Sequence, residues 1–153
     1  MGEDDFDYEA HERLRTRVAN KMDGLLWTYK QHYKAGGVYG GINQLADISS
    51  TVLAGILTYA LIWEAFSTQI MTVLAVGIAV ISGFRTAARP QKQSEDHYRA
   101  AAAYQRLFDE FRDFATLDLT DNECGLENMR EDAEELAAEG RELNDNQDDI
   151  SSN

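Results

Sequence analysis

At 153 residues the chain is long enough for one domain and too short for two of ordinary size. Its 14 Lys+Arg against 27 Asp+Glu leave a formal net charge of −13, which excludes nucleic acid as a partner, because phosphate contacts need a basic face. The single cysteine, Cys124, excludes an intrachain disulfide and a cysteine-based metal cluster.

The mean hydropathy of −0.44 describes a soluble protein only if the apolar residues are evenly spread. They are not: from Ile48 to Phe84 the sole ionised side chain is Glu64. Arginine outnumbers lysine ten to four in this acidic chain. Such a surface stays hydrated in very high salt, where screening lengths fall to about 3 Å, and it predicts a halophilic source.

The first predicted element is a helix over about 8–34. Leu14, Val18, Met22, Leu25 and Tyr29 recur at four- and three-residue steps, an amphipathic stripe of coiled-coil type. The stretch "AGGVYGG" (Ala35 to Gly41) then predicts a break, with Gly36, Gly37, Gly40 and Gly41 as a hinge. A phosphate-binding glycine loop is the weaker reading, since no strand precedes it and no Gly-Lys-Ser/Thr follows. No secretory signal is visible in the polar first 44 residues.

Two apolar arms follow. Leu45 to Trp63 opens with Asp47, Ser49, Ser50 and Thr51 and is borderline in length for a span. The second, about 66–86, is apolar all round, and at 1.5 Å per residue it matches a hydrocarbon core of ~30 Å. Tyr59, Trp63 and Phe66 gather around a bend that carries Glu64 and no cation, while Lys30, Lys34, Arg85, Arg89 and Lys92 flank the far ends. This asymmetry predicts a transmembrane hairpin with Glu64 at the outer turn and both chain ends in the cytoplasm. The fold class is therefore an all-α membrane protein, a two-helix transmembrane hairpin with cytoplasmic amphipathic helices from both ends packing as a bundle. Ser50, Ala54 and Thr58 on the first arm, and Ala75, Ala79 and Gly83 on the second, form small-residue stripes for close helix packing, within one hairpin or between subunits. Neither arm has an ionisable residue at mid-depth, which argues against a proton relay or a charged transport site.

Pro90 should end or kink the second span's helix. A further amphipathic helix is predicted over about 94–117, with Tyr104, Leu107, Phe108, Phe111, Phe114 and Ala115 on its apolar side. Leu14, Val18, Met22, Leu25 and Tyr29 are its natural partners, forming a cytoplasmic core with Tyr104, Phe108 and Phe111. A weaker helix, Glu123 to Leu143, carries Leu126, Met129, Ala133 and Leu136 on one side, and the acidic tail "NDNQDDISSN" reads as disordered. This divides the chain into a domain of 1–119 and an acidic segment of 120–153.

His11, His32 and His97 lie far apart and none belongs to a His-Glu-x-x-His pattern, so they read as surface or packing histidines. No nucleophile–base set or paired-carboxylate signature stands out, and no enzyme, cofactor or metal site is predicted.

The stretches "LLWTYKQHYKAGGVYGGIN" (Leu25 to Asn43) and "HYRAAAAYQRLFDEFRDF" (His97 to Phe114) flank the hairpin. Their Trp/Tyr-Lys and His-x-x-Ala-x-x-Tyr-x-x-Leu patterns resemble the SLATT domain, the SMODS and SLOG-associating two-transmembrane effector, over roughly Arg13 to Leu119. The resemblance implies a homo-oligomeric membrane effector of prokaryotic conflict systems, including antiviral defence, that permeabilises the membrane under nucleotide second-messenger control. This chain shows no appended nucleotide-sensor domain. It would then be gated by a separate nucleotide-signalling or sensor protein, or belong to a haloarchaeal stand-alone branch with another role. The competing expectation is a non-conducting membrane scaffold that recruits partners through its cytoplasmic helices.

Overall fold

The computed structural model describes residues 3–63, 66–117, 119 and 125–151, with side chains described for 8–63, 66–117, 119 and 125–146. Four α-helices account for nearly all of them: α1 (Glu3–Trp63), α2 (Thr68–Ala88), α3 (Pro90–Thr116) and α4 (Leu126–Ser151). No strand occurs among the described residues. Glu64, the expected outer turn, lies outside them, as do Cys124 and the expected start of the last helix at Glu123. The chain separates into two compact units, one of Met1–Tyr33 with Tyr98–Asn153 and one of Lys34–His97.

In the first unit three helical segments share an apolar core. Leu14 and Val18 of α1 are buried with Leu107, Phe111 and Phe114 of α3, Leu119, and Met129, Ala133 and Ala137 of α4; Met22 and Leu25 pack at its edge. Each helix has one apolar stripe, and three stripes facing inward remove from water what no single helix could hide. The approach of α4 to α3 is close at Gly140, where an added Cβ would stand 3.2 Å from Leu107 Cδ2. Phe108, expected in the core, is only half-buried and lies outside the core cluster. The buried α3 positions run 104, 107, 111, 114, a three–four–three stripe that leaves residue 108 on its flank. The last helix is thus a full member of the bundle. It also continues through Asn144 to Ser151, where the composition suggested disorder. A physical reason is local: Tyr104 Oη donates a 2.6 Å hydrogen bond to Asn144 Oδ1, fixing the start of that stretch to α3. On the outer face Arg106 bonds Glu110 and Glu139 at 2.8 and 3.4 Å, and its pKa is raised, first by the hydrogen bond to Glu110 and then by the two carboxylate charges.

In the second unit the late part of α1 and all of α2 form a helical hairpin. Half-buried or buried positions recur at 46, 50, 53, 57 and 60 on α1 and at 71, 74, 78, 81, 85 and 88 on α2. Both series alternate threes and fours, the spacing of a left-handed coiled-coil seam. Ala60 is fully buried, and a Cβ on Gly77 would sit 3.9 Å from Leu53 Cδ1.

The hinge expected at Gly36, Gly37, Gly40 and Gly41 does not form: α1 passes through all four glycines as one helix. Close packing accounts for Gly40. Ser94, buried at the start of α3, donates a 2.8 Å hydrogen bond to the Gly36 carbonyl oxygen, and a Cβ at Gly40 would come within 3.1 Å of Ser94 Oγ. Four glycines cost the helix roughly 1 kcal/mol each against alanine, and the contact they permit offsets part of that. α2 does end before Pro90, as expected. Arg89 takes a left-handed conformation (φ 45°, ψ 50°) and its N–H bonds the Arg85 carbonyl at 3.0 Å. Helix resumes at once, earlier than the expected 94. Proline suits the first position of a helix, where its fixed φ fits and its missing N–H is not needed.

Candidate functional site

The feature of α1 and α2 with most chemical consequence is what they leave uncovered. Each contains a stretch long and apolar enough to cross a membrane, and almost none of either stretch is buried: 6% in α1 and 0% in α2. Val52, Ile56, Leu61 and Ile62 on one helix and Ile70, Val73, Val76, Val80 and Phe84 on the other are all exposed. The core helix of a water-soluble protein has the opposite pattern, since an exposed apolar patch beyond a few hundred Å² is rare on soluble monomers. Tyr59 and Trp63 stack at 6.2 Å near the end of α1, an arrangement suited to a membrane–water boundary.

The expected packing stripes divide. Ser50 sits on the seam, and its Oγ is buried with no hydrogen-bond partner among the described residues. Ala54, Thr58, Ala75, Ala79 and Gly83 are exposed on the outer side, and a Cβ on Gly83 would meet nothing within 4 Å. Of the two packings open at the sequence level, contact within the hairpin is therefore removed for those five. The seam follows alternating threes and fours, which steps of four leave progressively behind. Thr58 and Thr72 donate their hydroxyl hydrogens to carbonyl oxygens of their own helices, Ala54 and Thr68, both at 2.8 Å.

Polar chemistry is concentrated at the hairpin's base. Arg85 Nη1 lies 2.6 Å from Asp47 Oδ1, joining α2 to α1, and Asn43 Nδ2 donates to Asp47 Oδ2 at 3.1 Å. Arg85 Nε is buried and has no partner among the described residues. Gln93 Nε2 donates to the Ala88 carbonyl at 2.9 Å, satisfying an otherwise open group at the end of α2. Sequence reasoning used Asp47 as a weakness of the first span and Arg85 as a flanking cation. The signal that would have joined them is their matching place, opposite charges at the same end of two adjacent apolar arms.

The two flanking stretches meet through their rings. His32 stacks on Tyr104 at 5.6 Å and Tyr33 meets Tyr98 edge-on at 5.4 Å in the bundle unit, while Tyr39 stacks on His97 at 5.4 Å and 9° in the hairpin unit. His32 and His97 are thus packing histidines. Of the expected cytoplasmic core, Leu14, Val18, Tyr104 and Phe111 are buried, and Met22, Leu25, Tyr29 and Phe108 are half-buried. Leu107 and Ala137, which were not singled out for that core, are among its most enclosed members.

Comparison of the chain with protein-family models, curated proteins and solved structures finds no match.

Proposed function

We propose that the hairpin of α1 and α2 spans a bilayer, with both chain ends on the cytoplasmic side, and that the protein is a homo-oligomeric effector that permeabilises the membrane. The observation that carries the membrane reading is the near-complete exposure of two adjacent apolar helical stretches joined by four residues. In water that surface costs about 25 cal/mol for each Å² left uncovered, and in lipid it costs nothing. The outer stripe of Ala54, Thr58, Ala75, Ala79 and Gly83 supports assembly with further copies, because small residues let helix backbones approach. Permeabilisation rests on the resemblance to the SLATT domain, which also supports gating by a separate nucleotide-signalling protein.

One observation favours a second reading, a non-conducting scaffold. The hydroxyls of Thr58 and Thr72 are turned to their own helices, so neither offers water a free donor. Dye-loaded liposomes separate the two readings. Purified protein reconstituted at increasing density should release the dye, with stepwise conductance in planar bilayers. Oligomers that insert and leave the dye inside would make the protein a scaffold.

A further inference from the structure

We propose that the cleft at the base of the hairpin binds the phosphate of an anionic lipid headgroup. The cleft is open, about 460 Å³, and is lined by Asn43, Arg85, Arg89, Lys92 and Glu95, with Ser82, Thr86, Pro90 and Gln91 completing the wall. Three cations thus meet Glu95 in the lining, and Asp47 is paired with one of them, which leaves a surplus of one positive charge in a chain whose net charge is −13. Glu95 Oε1 accepts a 3.0 Å hydrogen bond from Gln91 Nε2, a neutral donor that leaves its charge in place. Arg85 is paired with Asp47 through Nη1 and keeps a buried Nε without a partner among the described residues. Neither Arg89 nor Lys92 is paired with a carboxylate among them. The cleft therefore holds a surplus of positive charge, carried by Arg89 and Lys92.

Two further features suit a phosphate. α3 begins at the cleft wall with no acidic residue in its first turn, so no carboxylate there offsets the positive end of its dipole, though the carbonyl end of α2 abuts it. The height is also right. The last large apolar residue of α2, Phe84, precedes Arg85 directly, so the three cations fall at the level where a span leaves hydrocarbon and headgroups begin. Basic residues there attract anionic lipid by about fivefold in affinity each. Phosphatidylcholine carries the same phosphodiester, but its trimethylammonium group would be repelled by the cations, so the cleft favours a headgroup with net negative charge.

The proposal rests on the membrane reading, and the experiment keeps the two apart. Full-length protein is floated with carbonate-washed vesicles of phosphatidylcholine alone or with phosphatidylglycerol, then examined by native mass spectrometry for retained lipid. Wild type should float with both and retain phosphatidylglycerol selectively. Arg89→Gly removes a charge and accommodates the left-handed backbone without strain. Combined with Lys92→Gln, it should weaken phosphatidylglycerol retention roughly 25-fold and leave phosphatidylcholine unchanged. Equal retention by the double variant, with normal flotation, overturns the cleft alone. Displacement of the lipid by millimolar inorganic phosphate would assign the cleft to a soluble phosphate instead. Failure to float with either vesicle overturns the membrane reading and this proposal together.

Discussion

Position 108 of α3 shows how far a side chain's energetic weight depends on one step along a helix. Phe111 is 2% exposed among Leu14, Val18 and Met129 of the same core cluster, whereas Phe108, three residues earlier, is half-buried on the flank. Phe111→Ala should therefore cost about 3–5 kcal/mol, the range for emptying a closed aromatic site. Phe108→Ala should cost about 1–2 kcal/mol, since only part of its surface returns to water. Thermal or denaturant unfolding of the purified chain followed by helix content checks both, and equal losses would place Phe108 in the core. From sequence, 107, 108, 111, 114 and 115 all read as one apolar side. The centre of that stripe is set by where α1 and α4 lie, and periodicity along one helix does not contain that information. Leu14 and Val18 were legible because their steps of four sit at the middle of a stripe with polar residues on both sides.

At the scale of elements, the helices were easier to find than their ends. Glycine and proline read as stops, yet α1 runs through four glycines and α3 starts on Pro90. In both places the packing partner decides. Ser94 needs a surface without a side chain at Gly40, and proline costs nothing at a first turn. The hairpin itself was legible from composition, because a charge-free run of span length has few other uses. Its seam was not, since apolar residues lie on every side of both arms and the contrast that marks a buried face in water is missing. This bears on Ala79, which faces outward. Ala79→Leu should leave the hairpin's folding and thermal stability unchanged while weakening assembly, as a larger side chain holds two helices apart. Mass analysis in a mild detergent checks this. Loss of thermal stability in the monomer would put the residue back inside the hairpin.

For the whole molecule, charge sets orientation. Arg85, Arg89 and Lys92 cluster where α2 gives way to α3, and Lys30 and Lys34 precede the first apolar stretch, while the described residues at the other end, Phe66 and Ser67, carry none. Short basic flanks stay on the cytoplasmic side, so both chain ends should lie there. With Cys124 replaced, a cysteine at Ser67 should react with an impermeant maleimide from outside intact cells, and one at Arg13 only after lysis. Labelling of the Ser67 position from the cytoplasmic side alone would reverse the topology.

The connection between α1 and α2 is four residues long, from the end of one helix at Trp63 to the start of the next at Thr68. So short a link cannot leave its two arms in different environments while the chain is being made. The first arm opens with Asp47 and three hydroxyl residues, and a helix inside the bilayer cannot leave its backbone groups open. If the hairpin spans a bilayer as proposed, the pair is expected to enter as one object, turn first, once Phe84 has left the ribosome. On that reading a nascent chain stopped within α2 should stay outside the bilayer, and carbonate extraction of stalled chains would check it.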